Sequence, residues 1–263
     1  MKNVAVVTGA SSGVGREFVR QLDLGKGGPL DEIWLVARSA DKLEQISEET
    51  VTDCRVFPLD LTKDSSYLSI RDALEADSSI RVQWLINSAG YGKFGRLDEI
   101  SAQDNGDMIR LNCIAVVEMC YHALPHMVPG SRIVNMSSIA GIAPQPELSV
   151  YSASKRFVLD FSRTLDHELA PVGIHVTAVC PKFMDTGFLD KPGNPESVRR
   201  MTSIGFEKPV DVVRKALAAA TLGRATCIPS PDMKAVHVAC KLLPSRLILS
   251  LQDLAFGLAT RSA

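Results

Sequence analysis

The sequence predicts an α/β fold: a single doubly wound parallel sheet with helices on both faces, followed by a C-terminal helical extension. Three observations predict it. Short, apolar, β-branched runs alternate with helical patterns along the chain, as expected of a sheet buried on both sides. Three glycines, Gly9, Gly13 and Gly15, fall where the first apolar run meets the first helical pattern, the place of a phosphate-binding turn. The chain has 263 residues, 46% hydrophobic and 22% charged, an ordinary globular composition long enough for a substantial core.

The elements follow in order. Residues 3–7 (NVAVV) read as a buried strand and 13–22 as a helix. EIWLVA (32–37) is the second strand, with a helix over 41–49. Further strands fall at 54–59 and 82–87, with a helical 64–76 between them. Two helices are expected around 101–126, then a strand at 131–137, a long helix at 149–170 and a strand at 174–180. A helix near 209–220 precedes a short strand at 226–229. Right-handed crossovers close such a series into one doubly wound sheet. No linker, repeat or low-complexity stretch divides it, so residues 1–263 read as a single domain, with the tail at about 231–263. The Gly/Pro stretch 24–32 reads as a surface loop with no assigned function.

Net charge is −1, so no basic excess points to nucleic acid. Cys54, Cys113, Cys120, Cys180, Cys227 and Cys240 form no C-x-x-C pair and are expected as reduced, buried thiols. His122 and His126 lie four apart near Cys120, but Pro125 interrupts the run and no carboxylate completes a metal site; none is expected. The short apolar N-terminus ends in a Gly/Ser turn, unlike a secretory signal. A cytoplasmic protein is the expectation.

VVTGASSGVGR (6–16) spaces its glycines G-x-x-x-G-x-G. Such glycines make a tight turn, admit a pyrophosphate and let the helix pack on the sheet, while the helix N-terminus supplies N–H groups and a positive dipole end. The second strand ends in Ala37 and Arg38 rather than a carboxylate. A carboxylate there would hold a ribose 2′-OH; a guanidinium pairs with a 2′-phosphate. NADP(H) is therefore expected over NAD(H).

With these residues the chain resembles the short-chain dehydrogenase/reductase family, over about residues 3 to 190. TGASSGVG (8–15), LDLT (59–62), NSAG (87–90), LNCIA (111–115), IVNMSSIAG (133–141) and YSASK (151–155) match its motifs in order and spacing. The resemblance implies a Rossmann-like dinucleotide-binding fold. It implies cofactor contacts from Gly9, Ser11, Ser12, Gly13, Val14, Gly15, Arg38, Asp60, Leu61, Asn87, Ala89, Gly90, Tyr151, Lys155, Pro181, Met184 and Thr186. It implies Asn112, Ser138, Tyr151 and Lys155 as the catalytic set. The family places its serine thirteen residues before the tyrosine, which selects Ser138 over Ser137; Ser137 is expected to bond locally in its loop. Lys182 departs from the family, which usually has glycine there. A solvent-facing lysine near the cleft mouth is the expectation, with an acidic substrate group as the alternative partner.

Reduction of a ketone needs a hydride donor, a proton donor and a hold on the carbonyl. The resemblance implies NADPH for the first, Tyr151 for the second and Ser138 for the third. Free tyrosine titrates near pH 10. Lys155, one helical turn on, is expected to lower that pKa by stabilising the phenolate. Asn112 is expected to hold a water linking Lys155 to solvent.

Residues 186–209, rich in Gly, Pro and Ser, look like the family's mobile substrate loop. Phe188, Leu189, Met201, Ile204 and Phe206 either line an apolar pocket or pack on the core. In the tail, Leu247, Leu251, Leu254 and Leu258 repeat at helical spacing with Gln252 and Asp253 opposite, while Pro244 and several charges interrupt the stretch; a spanning helix is excluded. Three readings of the tail stand: packing on the core or a partner subunit, capping a lipophilic pocket, or peripheral contact with a membrane. A similar tail in relatives resembling hydroxysteroid and 3-oxoacyl reductases implies a steroid or fatty-acyl ketone as substrate. The family usually forms a homodimer or homotetramer; no residue pattern derives either. A non-catalytic NADPH-sensing protein on the same fold is the second hypothesis, and the intact catalytic set argues against it. Sugar epimerases and dehydratases share Y-x-x-x-K but differ in glycine spacing and add a longer C-terminal substrate domain.

Overall fold

The structure is a computed structural model and describes residues 1–184 and 205–256. The strands are β1 (Lys2–Thr8), β2 (Glu32–Ala37), β3 (Cys54–Pro58), β4 (Ile80–Asn87), β5 (Arg132–Met136), β6 (His175–Val179) and β7 (Thr226–Cys227). The helices are α1 (Gly13–Asp23), α2 (Ala40–Glu49), α3 (Asp64–Glu75), α4 (Ala102–Ile109), α5 (Ala115–Ala123), α6 (Ser149–Leu169), α7 (Pro209–Thr221), α8 (Pro231–Leu242) and α9 (Ser245–Phe256). All seven strands join one sheet, ordered β3-β2-β1-β4-β5-β6-β7, and every pairing is parallel. After β3 the chain crosses back to place β4 beside β1. The strand order reverses there, and a crevice opens beyond the strand ends.

Two apolar layers explain why the strands read as continuous hydrophobic runs. Val4, Val6, Trp34 and Val36 face a core shared with α3, α5 and α6. Their alternates Ala5, Val7, Ile33 and Leu35 face a second core with α1, α2 and α7. This is the period-two alternation of a strand, with both sides buried. The glycine-rich stretch before β2 has a packing task. Gly27 accepts a hydrogen bond from Trp84 Nε1 at 2.9 Å, and a Cβ on Gly27 would lie 2.7 Å from that indole nitrogen.

Three expectations change. The region 101–126 is one helical run in which a π-helical turn, Arg110–Ile114, joins α4 to α5. Cys54 and Cys240 are only half-buried, although the other four thiols are buried. The leucine stripe of α9 faces outward, with Leu247, Leu251 and Leu254 at 45%, 50% and 80% exposed while Ile248 is buried. Ile248 and Gln252, one turn apart, take the inner side instead. No described helix is long and apolar enough to cross a membrane. Most of the proposed substrate loop, with Phe188, Leu189, Met201 and Ile204, and also Leu258, lie outside the described residues.

Candidate functional site

A cleft of about 620 Å³ opens beyond the C-terminal ends of β1 to β5, within the range of small-molecule sites. Its floor is set where β1 and β4 approach. The buried Thr8 hydroxyl accepts the N–H groups of Ser88 and Ala89, both at 3.1 Å, and donates to Ile86 O at 3.3 Å. Gly9, at φ 68°, lies so close that an added Cβ would sit 2.8 Å from Ala89 N. On Gly15 a Cβ would lie 2.1 Å from Gly9 O. Ser12 enters α1 in extended conformation without capping it through its side chain. The first N–H groups of α1 therefore remain available to an anion. A cradle that a single methyl group would fill, below a helix N-terminus, fits a dinucleotide pyrophosphate.

Arg38 and Ser39 line the cleft beyond β2, and Asp60, Leu61 and Thr62 line it beyond β3. Asp60 Oδ1 accepts the backbone N–H of Thr62 at 3.0 Å and its hydroxyl at 2.9 Å. Burial pushes the Asp60 carboxyl up, but the Thr62 bonds and the nearby Arg38 and Lys63 outweigh it and hold the pKa below the usual value.

Helix α6 carries the reactive groups. Lys155 is 5% exposed; its ammonium donates to Met136 O at 2.8 Å and lies 5.7 Å from the Tyr151 ring centroid. The Ser138 hydroxyl is hydrogen-bonded to Tyr151 and accepts from Ala140 N at 3.2 Å. Asn112, on the π turn, accepts from Tyr91 N at 3.1 Å and donates to Tyr91 O at 2.9 Å and Ser154 Oγ at 3.1 Å. A Cβ on Gly90 would lie 2.9 Å from Asn112 Oδ1 and 3.2 Å from Lys155 Nζ. The turn after β4 therefore meets Asn112 and Lys155 directly.

Two readings of this cluster need correction. Ser137 does not bond within its loop: its hydroxyl donates to Lys155 O at 2.7 Å and ties the end of β5 to α6. Lys155 does not lower the Tyr151 pKa within the protein alone. Burial pushes Tyr151 up to about 12, opposed by the bond to Ser138. The spacing of the pair on a helix shows proximity, but not the desolvation that acts on both. Asn112 has both amide protons engaged, leaving a lone pair on Oδ1 for a water.

Desolvation also pulls Lys155 down to about 8, opposed by the adjacent Cys113 and Cys180. The folded pKa lies below the unfolded value, so the unfolded chain binds this proton more tightly. This residue's contribution to stability rises as pH goes from about 8 to 10.5, and at neutral pH its buried charge costs about 3 kcal/mol relative to the upper end. Lys155→Met is expected to stabilise the protein without nucleotide most at neutral pH, with the gain shrinking as pH rises through that window. Urea unfolding of both proteins across the window checks this; a gain independent of pH would contradict it.

Beside the cleft lies a pocket of about 70 Å³, walled by Phe94, Ile139, Leu148, Phe183 and Met184, with Ser138, Gln145, Pro181 and Lys182 also lining it. Tyr151, Ser137 and Met184 line both spaces. Glu147, in left-handed conformation at φ 58°, accepts the Gly95 N–H at 2.9 Å. That bond ties the Phe94 loop to the start of α6. Lys182 is not solvent-facing: its side chain is 12% exposed and reaches Asp232 Oδ2 on α8 at 3.0 Å. Its backbone N–H donates to Glu207 Oε2 at 2.9 Å, and Ser230 Oγ donates to Glu207 Oε1 at 2.5 Å.

Of the expected cofactor contacts, Gly9, Ser11, Ser12, Gly13, Val14, Gly15, Arg38, Asp60, Leu61, Ala89, Gly90, Tyr151, Lys155 and Met184 line the cleft. Pro181 lines the smaller pocket. Asn87 does not line the cleft: its side chain is buried in the sheet and donates to Asn135 Oδ1 at 2.9 Å. Thr186 lies outside the described residues. Phe206 is half exposed and walls neither space. Sequence reasoning left Thr8, Thr62 and Ser39 off its expected contacts, although Thr8 and Thr62 stand within the motifs at 8–15 and 59–62 and Ser39 directly follows Arg38, and it missed Phe94 and Phe183, which no local pattern marks.

A family model described as short chain dehydrogenase matches residues 3–196. An uncharacterized oxidoreductase of Staphylococcus epidermidis is 31% identical over 189 residues, covering 70% of this chain and 79% of that one. The very-long-chain 3-oxoacyl-CoA reductase of Anas platyrhynchos is 31% identical over 262 residues, covering 94% of this chain and 78% of that one. Among solved structures, a short-chain dehydrogenase from Sphingobium yanoikuyae in complex with NADPH superposes with TM-score 0.78 at 26% identity, over 99% of this chain and 98% of that one. One from Burkholderia phymatum in complex with NAD gives 0.78 at 26%, over 90% and 92%. The bulky-bulky ketone specific alcohol dehydrogenase of Comamonas testosteroni gives 0.71 at 25%, over 100% and 95%.

Proposed function

Because the chain belongs to the short-chain dehydrogenase family, and so is an oxidoreductase acting on alcohol or ketone groups with a nicotinamide cofactor, we propose that it interconverts a bulky, apolar ketone and its secondary alcohol using NADP(H). The observation that carries this reading is the place of Tyr151: its side chain borders both the glycine-floored cleft and the apolar pocket, with Ser138 bonded to it. A carbonyl entering from the pocket meets both hydroxyl groups.

The chain's own residues then have separable tasks. Gly9, Gly13, Gly15 and the start of α1 hold the pyrophosphate. Arg38 and Ser39 hold the 2′-phosphate. Ser138 orients and polarises the carbonyl oxygen. Tyr151, protonated at neutral pH as any phenol is, gives its proton to the nascent alkoxide and recovers it in the reverse direction. A bound nicotinamide supplies or takes the hydride, and its positive charge when oxidised favours the phenolate. Lys155 and Asn112 sit beside Gly90 as the relay toward solvent. Phe94, Leu148 and Phe183 favour an apolar substrate flank, in keeping with the very-long-chain 3-oxoacyl-CoA and bulky-bulky ketone substrates named for two of the similar proteins.

The test is a screen of steroids, 3-oxoacyl thioesters and small ketones, with NADPH and NADH followed in parallel. Turnover of a lipophilic ketone with NADPH supports the reading; turnover of small polar ketones alone overturns the substrate class. Arg38→Asp is expected to lower kcat/KM for NADPH by more than about tenfold relative to NADH, because a fork of donors to phosphate becomes a repelling charge. Equal use of both nucleotides before the substitution would overturn the role given to Arg38.

A further inference from the structure

The outer side of the α8–α9 pair is apolar and studded with cations. On α8, Val238 and Leu242 are 58% and 78% exposed; on α9, Leu247, Leu251 and Leu254 are 45%, 50% and 80% exposed. Val238 and Leu242 are four residues apart, and Leu247, Leu251 and Leu254 are four and three apart, so each set lies on one face of its helix. Lys234, Lys241 and Arg246 are exposed on the same two helices. Of the two carboxylates on their described residues, Asp232 is exposed and already paired with Lys182 at 3.0 Å, and Asp253 on α9 is half-buried, against three exposed cations. The chain as a whole carries −1, so this cationic region runs against the molecule's overall balance.

We propose that this face docks α8 and α9 in the plane of an anionic membrane surface, leucines in the acyl boundary and Lys234, Lys241 and Arg246 at the headgroup phosphates. Long cationic side chains can lie along apolar surface and reach outward to phosphate, and apolar burial joined to charge attraction is how interfacial helices bind. A second copy on this face fits less well, since a two-fold contact sets the patch against itself and brings Lys241 and Arg246 toward their own equivalents. The inner side of the pair is anchored. Met233 packs with Ile139 and Cys180, directly behind Ser138, and Lys182 of the small pocket holds Asp232 on α8. Helix α8 thus connects the docked side to Lys182 at the pocket wall, a short way for a ketone dissolved in lipid to reach the site. That corollary rests on the proposed substrate class; the docking does not.

The full-length protein is sedimented with vesicles of equimolar phosphatidylglycerol and phosphatidylcholine, and with vesicles of phosphatidylcholine alone. Preferential binding to the anionic vesicles, weakened by salt, is expected. The pair Leu247→Asp with Leu251→Asp, and the pair Lys241→Glu with Arg246→Glu, are each expected to reduce partitioning about tenfold or more. These positions are exposed, so thermal unfolding and turnover of a water-soluble ketone should be unchanged, and vesicle binding is read without turnover. Protein that stays in the supernatant, or partitioning that survives the leucine changes, overturns the proposal. So does a dimer, seen by light scattering without lipid, that the leucine changes dissociate.

Discussion

Tyr151→Phe is expected to lower kcat by about 10²–10⁴-fold, the range of a general acid or base, while nucleotide still binds. The substitution removes one oxygen and keeps the ring. The nucleotide cradle is untouched, because its closest contacts are backbone ones around Gly9 and Gly15. Ser138 loses one partner and retains its bond from Ala140 N. Burial pushes the Tyr151 pKa up to about 12, so the proton is present at neutral pH, and its transfer depends on the Ser138 bond and on the charge a bound oxidised nicotinamide would bring. Titration of fluorescence with NADPH, beside steady-state turnover, separates binding from chemistry. Substantial turnover in the variant would move the proton donor elsewhere, with Ser138 the next hydroxyl at hand.

Gly15→Ala is expected to have the largest effect of any single methyl group added to this protein. The new Cβ would lie 2.1 Å from Gly9 O, and backbone on both sides cannot step aside as a flexible side chain could. α1 must draw away from the β1 turn, at a cost of about 3 kcal/mol or more, which lowers Tm by roughly 5–10 °C. Nucleotide affinity should fall with it, because the displaced segment is the pyrophosphate cradle. Gly106→Ala is the control. Nothing lies within 4 Å of its added Cβ, and inside α4 the change should stabilise by about 0.5–1 kcal/mol. Calorimetry of the two variants reads both signs; a harmless Gly15→Ala would disprove the close approach.

Much of the fold was legible because its strands are buried on both sides. EIWLVA is a run no surface strand would carry, and β2 spans the same residues that the sequence marks. The reactive groups were legible where a local pattern places them, as Tyr151 and Lys155 are placed by one helical turn. What escaped depends on distant partners. Lys182 meets Asp232 fifty residues on, so a lysine that looks solvated is tied down. Ser137 reaches the backbone of α6, reversing the expectation that it serves only its own loop. Phe94, Leu148 and Phe183 come from three segments, and only the fold makes them one wall. The Tyr151 pKa went the other way because desolvation is a property of the packed interior, not of i,i+4 spacing.

The π turn at Arg110–Ile114 amounts to one extra residue wound into an otherwise regular helix,. A protein designer tidying this chain would be tempted to delete it. Doing so would rotate α5 by about 100° relative to α4. Asn112 would swing off Tyr91 and Ser154, and either Met108 on one side or Met119 and Cys120 on the other would leave the core. The irregularity is a phase shift: it lets one helix satisfy two surfaces whose spacings do not agree, the sheet below and the strand-end turn above. Shortening the chain there would give a smoother helix and a misaligned enzyme.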